Sequence, residues 1–289
     1  MEFEIRPLEG YAEQLLCLHL QSETWGEDFA ECVPPSIQQI VQKMGGVVAG
    51  AFEPDGRLAA FVLGFTGLRK GRVAHWSHMM AVRPELRDQG LGRRLKLYQR
   101  QALVRMGVET MYWSFDPLVA RNAHLNLNRL GAAVDEYIEE MYAGMNSSLH
   151  EGLGTDRFVL EWDLTSARVE ELARQGQAGG RGPGAGGKGD EAGLQDAEQM
   201  GPVVNARLAE DGALLPDGPD LSATGPLRVE IPSDIHQAKQ AFPEAGRLWR
   251  SCTRRAFQHY LRQGYRVQGF QRDPVSNRCY YLLSKPEAR

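Results

Sequence analysis

The stretch from His75 to Met106 constrains this chain more than any other. Apolar and polar residues alternate up to Val82, Arg83-Pro84-Glu85 makes a turn, and Arg87-Asp88-Gln89-Gly90-Leu91-Gly92 leads into a segment with Leu95, Tyr98, Leu103 and Met106 at roughly helical spacing. A strand that passes through a glycine-bearing loop into a helix implies a sheet with helices on its faces. The loop also carries chemistry. Glycines let backbone approach a ligand without an intervening Cβ. The first amides of a helix have no partner within the helix and lie at its positive end, which suits a pyrophosphate. Arg87, Arg93 and Arg94 add countercharge. The dipole contributes only ~0.3–1 kcal/mol at an exposed site, so the directed N–H groups must supply most of the selectivity. Two other phosphate loops are excluded. Only Gly90-x-Gly92 of a Gly-x-Gly-x-x-Gly pattern is present, and no Gly-x-x-x-x-Gly-Lys-Ser/Thr occurs.

The rest of the 289 residues fits around this unit. Residues 3–7 predict a first strand, Tyr11–Trp25 a helix with Leu15, Leu16, Leu18 and Leu20 inward, and Pro35–Met44 a second helix with Ile37, Ile40, Val41 and Met44 inward. Val47–Phe52 and Leu58–Leu68 predict a hairpin around Pro54-Asp55-Gly56. Val73–Val82 predicts a strand, Thr110–Phe115 another, Asn122–Leu130 a helix closed by Gly131, and Ala132–Tyr142 and Arg157–Leu164 two more strands. Residues 175–193 read QGQAGGRGPGAGGKGDEAG, too poor in large apolar side chains to offset the entropy of ordering, and weak punctuation by turn residues continues to Pro226. The expected organisation is a domain over 1–164, a Gly/Pro-rich flexible insertion over 165–226, and a small α/β segment over 227–289. That last segment repeats the order strand, helix, glycine, strand, strand, either as a degenerate half-repeat or as a common arrangement without shared ancestry.

Composition narrows the function. A net charge of −4 gives no basic excess for nucleic-acid binding, and no aromatic residues interleave with basic ones for base stacking. The most apolar run, Leu58–Phe65, is far below the ~20 residues of a membrane span, and MEFEIRPLEG lacks the form of a signal peptide. Cys17, Cys32, Cys252 and Cys279 are too scattered for a zinc or redox motif, so a reducing cytoplasm is expected, and the Asn146-Ser147-Ser148 sequon is read as accidental.

Arg87-x-x-Gly90-x-Gly92 after a strand ending Val82-Arg83-Pro84-Glu85, with the element order of residues 1–164, resembles the GNAT acyltransferase superfamily. The segments FDPLVARNAHLNLNRLGA and GLGTDRFVLEWDL are similar to a bacterial branch of predicted GNAT acyltransferases linked to N-acyl amino-acid metabolism. The resemblance implies an α/β (α+β) GNAT fold with a mixed central sheet and flanking helices, and acetyl-CoA or another acyl-CoA, succinyl-CoA included, as co-substrate with no metal. The pantetheine arm would pair with the exposed strand end at Met80, Ala81 and Val82. The pyrophosphate would sit on the amides of Arg87, Asp88, Gln89, Gly90, Leu91 and Gly92 with Arg93 close by, and Asn122 would touch the cofactor arm.

Amine acylation needs a free amine, and neutralising a group of pKa ~10 at pH 7 costs about 4 kcal/mol. A general base relieves part of that, typically ~10²–10⁴ in rate. His78 is the candidate, since alternation places it with Trp76, Met80 and Val82 on one face, and similar families carry histidines there. A packed strand histidine is the competing reading. His75 points the other way, which argues against His75-x-x-His78 as a metal pair. One departure stands out: the position four before Gly131, a tyrosine in many GNAT enzymes that protonates the departing thiolate, is Leu127. Asn126, Asn128, His124 or another tyrosine would have to serve, or the thiolate leaves unaided. Glu136, Glu139 and Glu140 read as an exposed acidic strand edge, and the later members of the basic run Arg83–Arg105, Lys96 among them, as a solvated helix face. The expected function is transfer of an acetyl or succinyl group to the amine of a small molecule such as an amino acid, with no nucleic-acid or membrane partner and with a homodimer allowed. A non-catalytic CoA-binding sensor or scaffold and a protein N-acetyltransferase are the alternatives.

Overall fold

The computed structural model describes residues 2–144, 153–178, 200–210 and 212–286. Their contacts form two compact units, the first holding residues up to 113 and 161–178, the second 114–144, 153–160 and 200 onward. The sequon and the glycine-rich run from 179 to 193 lie outside the described residues.

The first unit opens with β1 (Glu4–Pro7), α1 (Gly10–Trp25), α2 (Pro35–Lys43), β2 (Val47–Phe52), β3 (Leu58–Arg69), β4 (Arg72–Val82), α3 (Leu91–Arg105) and β5 (Thr110–Phe115), the last running into the second unit. The strands lie in the order β1-β2-β3-β4-β5. The first four pair antiparallel, through the hairpin expected at Pro54-Asp55-Gly56. β4 and β5 pair parallel. β2 and the first half of β3 are buried on both faces, which matches their near-continuous apolar sequence. Leu8, Cys17, Leu20, Phe29, Val48, Phe52, Phe61, Leu63, Met79 and Ala81 form the core between the sheet and α1/α2.

Both leading helices depart from their expected faces. In α1 the buried residues are Gln14, Cys17, Leu20 and Gln21, and Leu16 is exposed; in α2 they are Pro35, Gln38 and Val41, and Ile37, Ile40 and Met44 are exposed. Gln21 and Gln38, with the half-buried Gln42, hydrogen-bond to backbone groups beside them. Gln21 Oε1 accepts from Val33 N at 2.7 Å, Gln38 Nε2 donates to Val33 O at 2.9 Å, and Gln42 Nε2 donates to Leu8 O and Val48 O at 3.0 and 3.1 Å. Buried backbone polar groups need such partners, and an amide side chain is long enough to provide them. In α3 the same happens on a smaller scale: Leu95 and Leu103 are buried as expected, Met106 just beyond its end is exposed, and Lys96 and Gln99 are buried.

In the second unit come α4 (Ala120–Ala123), a π-helical turn over His124–Arg129, β6 (Ala133–Ile138) and the start of β7 (Arg157–Asp163), with strand order β5-β7-β6. After the insertion follow β8 (Ala206–Leu208), β9 (Leu214–Pro216), β10 (Leu227–Ile231), a short α6 (Ile235–Ala241), α7 (Ala245–Arg262), β11 (Arg266–Arg272) and β12 (Cys279–Ser284). The C-terminal sheet has the order β10-β12-β11, the same arrangement as β5-β7-β6 with a helix after the first strand. Trp249, Phe257 and Tyr260 on α7 are buried, as their spacing predicts. The 165–226 stretch is not uniformly irregular. The helix Ala167–Ala178, labelled α5, opens it in the first unit, and the β8–β9 hairpin stands near its end in the second.

A buried ion cluster organises the second unit. Arg250 binds both carboxylate oxygens of Asp116 at 2.7–2.8 Å and donates to Leu153 O at 2.7 Å, while Arg157 Nη1 lies 3.8 Å from Asp116. Arg254 reaches Asp156, Glu139 and Glu140. Glu139 and Glu140, expected on a free edge, are therefore ion-paired to α7. Among the described residues no helix is long and apolar enough to cross a membrane, and all four cysteines are free thiols.

Candidate active site

The site grows from an interruption in the sheet. β4 pairs with β5 only at His75–Met111 and Trp76–Tyr112 among the described residues, although β4 continues to Val82. Its other edge stays paired to β3 throughout, with Met80, Ala81 and Val82 opposite Val62, Phe61 and Ala60. The β4 edge that faced β5 is thus open beyond Trp76, which leaves backbone donors and acceptors available to an extended ligand.

A β-bulge sits at the same place. Gly64 pairs with Ser77 and Leu63 with Met79, so His78 is the extra residue. Close packing explains the glycine: a Cβ on Gly64 would collide with the His75 imidazole and the Trp76 carbonyl. The bulge reverses the alternation, correcting the expected face. Before it, His75 and Ser77 contact α3 through Gln99 and Lys96; after it, Met80 and Val82 approach Gly92 on α3, while Met79 and Ala81 enter the α1/α2 core. His78 therefore does not share a face with Met80 and Val82. Its ring lies 5.7 Å from that of Phe65, whose cross-strand partner is Trp76. His78 keeps an open outer side, yet the atoms around the ring press its pKa below 6.5, with the Glu31 carboxylate opposing that shift in part. A neutral imidazole at pH 7 follows, in the form that accepts a proton.

The loop after β4 starts with a 3₁₀ turn over Pro84–Leu86. Asp88 and Gly90 follow with φ of +60° and +76°, and Gly90 is the residue from which α3 starts. The left-handed backbone at Gly90 is costly for a side chain with a Cβ. Beyond that, a Cβ at Gly90 would meet nothing within 4 Å, and one at Gly92 only Met80 and Val82 at ordinary contact distance. Among the described residues the space that Gly90 faces is open. The first helical bond is Arg94 N to Gly90 O at 3.1 Å, so the Leu91 and Gly92 amides lie ahead of it at the positive helix end, with no acid in that first turn.

Two expected contributions are used elsewhere. The Arg87 amide donates to Pro84 O at 3.3 Å, which moves the donor set toward the helix start. The Arg93 guanidinium donates to Leu172 O on α5 at 2.6 Å, and Arg94 to Phe3 O at 2.9 Å. Both of these bonds are made to backbone carbonyls. The Arg87 side chain reaches back to Val82 O at 3.2 Å and stays exposed beside the loop. Gln89, also exposed, reaches Glu85 O at 3.5 Å.

His78, Met80, Ala81, Val82 and residues 87–93 fall together in the first unit, whereas Asn122 belongs to α4 of the second. Leu127, in the tyrosine position, is buried in the π-helical turn, and Asn128 donates to Phe270 O at 2.8 Å. The His75 tautomer is fixed. Thr66 Oγ1 donates to Gly45 O at 2.7 Å, so it accepts from His75 Nδ1 at 3.0 Å, leaving Nε2 to accept from Gln99 at 2.9 Å. Burial first, and then the charge of Lys96, hold the His75 pKa down at about 3.

The model of the Acetyltransferase (GNAT) family matches residues 15–131. Residues 15–131 are a GNAT-family acetyltransferase domain. The mixed α/β architecture, with its mostly antiparallel central sheet and flanking helices, is the GNAT fold. Similar solved structures include the ribosomal-protein-S18-alanine N-acetyltransferase from Escherichia coli (18% identity, 57% of this chain and 96% of that one, TM-score 0.44). An N-acetyltransferase from Staphylococcus aureus Mu50 is similar at 12% identity over 57% of this chain and 100% of that one, TM-score 0.45. So is a chain of the NatC complex bound to Gag peptide and CoA, at 16% identity over 57% and 100%, TM-score 0.44. No curated protein matches the chain. The GNAT domain supports acyl-CoA-dependent N-acyl transfer in general. Among the described residues no group of three or more His, Cys, Asp or Glu is placed to hold a metal ion.

Proposed function

We propose that this protein moves an acetyl or succinyl group from acyl-CoA to the amine of a small molecule, an amino acid being the first class to test. The observation that carries the reading is the open β4 edge from Ser77 to Val82, continuous with the Gly90–Gly92 start of α3. In this reading the pantetheine arm lies along Met80, Ala81 and Val82. The pyrophosphate meets the amides from Gln89 to Gly92, with Asp88 shaping the turn and Arg87 and Arg93 supplying positive charge.

Neutral His78, with open space beside it and Glu31 contributing negative potential, takes the proton of an ammonium acceptor directly or through water. The freed amine attacks the thioester carbonyl, and an open amide on β4 holds the oxyanion. The tetrahedral intermediate then expels the CoA thiolate. No covalent enzyme intermediate is needed.

Calorimetry with coenzyme A, acetyl-CoA and succinyl-CoA tests the cofactor site, and a thiol-release screen crossing those donors with amino acids, polyamines, aminoglycosides and peptides tests the acceptor class. His78→Ala is expected to leave coenzyme A affinity within about twofold and lower kcat by ~10²–10⁴. Unchanged kcat in that variant refutes the base assignment. CoA binding with no turnover over the whole panel points instead to a CoA sensor.

A further inference from the structure

We infer that Lys96 is the group that receives the departing sulfur in the GNAT domain, filling the role for which the sequence offers no tyrosine. The inference rests on the proposed acyl-CoA reading of the β4 edge.

Lys96 lies on the face of α3 that packs against β4, and is 3% exposed. Its Nζ donates to Ser77 Oγ at 2.7 Å and stands 4.1 Å from the centre of the Trp113 ring. Those two contacts locate it. Ser77 is the residue after Trp76 on β4, and Trp113 the residue after Tyr112 on β5; Trp76–Tyr112 is the last pair of the parallel ladder. The ammonium therefore bridges the two strands where they part, at the inner end of the open edge, one residue from His78. No carboxylate pairs with Lys96 among the described residues, and two of its three donor hydrogens have no partner there. A fully buried cation without an anion is a costly arrangement, and stability alone gives no reason to keep it. An arm running inward from the Gly90 loop along Val82, Ala81 and Met80 ends its thioester here.

The acceptor nitrogen bonds to the acyl carbon and passes its proton to His78 or water. The carbon–sulfur bond breaks with its electron pair on sulfur. A proton moves from Lys96 Nζ to that sulfur, and the neutral amine left behind recovers a proton from solvent. Desolvation lowers the Lys96 pKa to about 7, beneath the ~8.5 of an ordinary thiol, so the transfer runs in the favourable direction. Ser77 and the Trp113 face hold the ammonium in place, as positioning groups.

The test needs no acceptor. The full-length protein is saturated with coenzyme A, and thiolate absorbance near 240 nm is followed against pH, with desulfo-coenzyme A as the blank. The bound thiol is expected to titrate up to about 1 unit below the free thiol, lowered by the neighbouring cation yet still above the Lys96 ammonium. In Lys96→Met the shift disappears, with coenzyme A affinity by calorimetry within about threefold of wild type; Lys96→Gln serves the same purpose should the Met variant not fold. A bound thiol that titrates like free coenzyme A in the wild-type protein overturns the inference without any variant, as does a shift that survives in Lys96→Met. No coenzyme A binding by the wild-type protein overturns the acyl-CoA reading itself, and this inference with it.

Discussion

Lys96→Met should make this protein more stable at neutral pH, and the size of the effect follows from burial. The unfolded chain carries a lysine that titrates near 10.5; in the folded chain desolvation brings it to about 7. Between those values the unfolded state binds more protons, so stability rises with pH across this window at up to ~1.36 kcal/mol per unit. It is lowest, and level with respect to this group, below pH 7. The full window of about 3.5 units sets a ceiling of ~5 kcal/mol on what the buried lysine costs at pH 7 relative to pH 10.5. Methionine has similar length and no charge to desolvate. Against the gain stands Ser77 Oγ, buried and deprived of its 2.7 Å partner, at ~1–3 kcal/mol. The net expectation is about 1–3 kcal/mol of stabilisation at pH 7. Urea denaturation of wild type and Lys96→Met at pH 7, 8.5 and 10 gives both quantities. The wild-type midpoint should climb with pH, and the variant should start higher and lack that part of the climb. A less stable variant at pH 7, together with a wild-type curve no steeper than the variant's, refutes the account.

Three other outcomes follow. Gly90→Val, at φ +76° with open space around it, should cost ~1–2 kcal/mol in urea and weaken coenzyme A binding at least tenfold by calorimetry; unchanged affinity would separate the loop from the cofactor. Asp116→Ala leaves Arg250 and Arg157 buried without their shared anion and should cost ~3–5 kcal/mol by denaturant unfolding, whereas a cost under 1 kcal/mol would mean water replaces the carboxylate. The His75 pKa of about 3, against 6.5 when unfolded, makes its stabilising contribution complete above pH 6.5 and progressively lost below it. About 2 kcal/mol should disappear between pH 6.5 and 5, and His75→Asn should remove that part of the acid slope.

The loop geometry of the candidate site was readable from sequence because its determinants are local. Gly90 is needed for one backbone angle, and the helix start supplies its donors whatever packs behind it. The hairpin at Pro54-Asp55-Gly56 was readable for the same reason. The catalytic half was less so. A bulge adds one residue and swaps the faces of everything beyond it, so strict alternation misplaced His78 relative to Met80 and Val82. Gly64 in the middle of an apolar strand was the available signal, since an interior glycine marks a bulge or a close approach. Lys96 was hidden in a run of arginines that mostly do face outward, and only its register with buried Gln99 and Leu103 hinted otherwise.

The sequence by itself therefore determined the order of elements, the turn chemistry and the start of α3 at Gly90, because each depends on a few neighbouring residues and their torsions. Tertiary structure alone decided which polar side chains are buried. Gln14, Gln21, Gln38, Lys96 and Asp116 look like surface residues, and their burial depends on backbone carbonyls, amides and charges that the fold brings to them from 19 residues away for Ser77 and Lys96, and from 134 for Asp116 and Arg250. The energy of a buried polar group is set by the partners it finds there, and no local pattern records who those partners are.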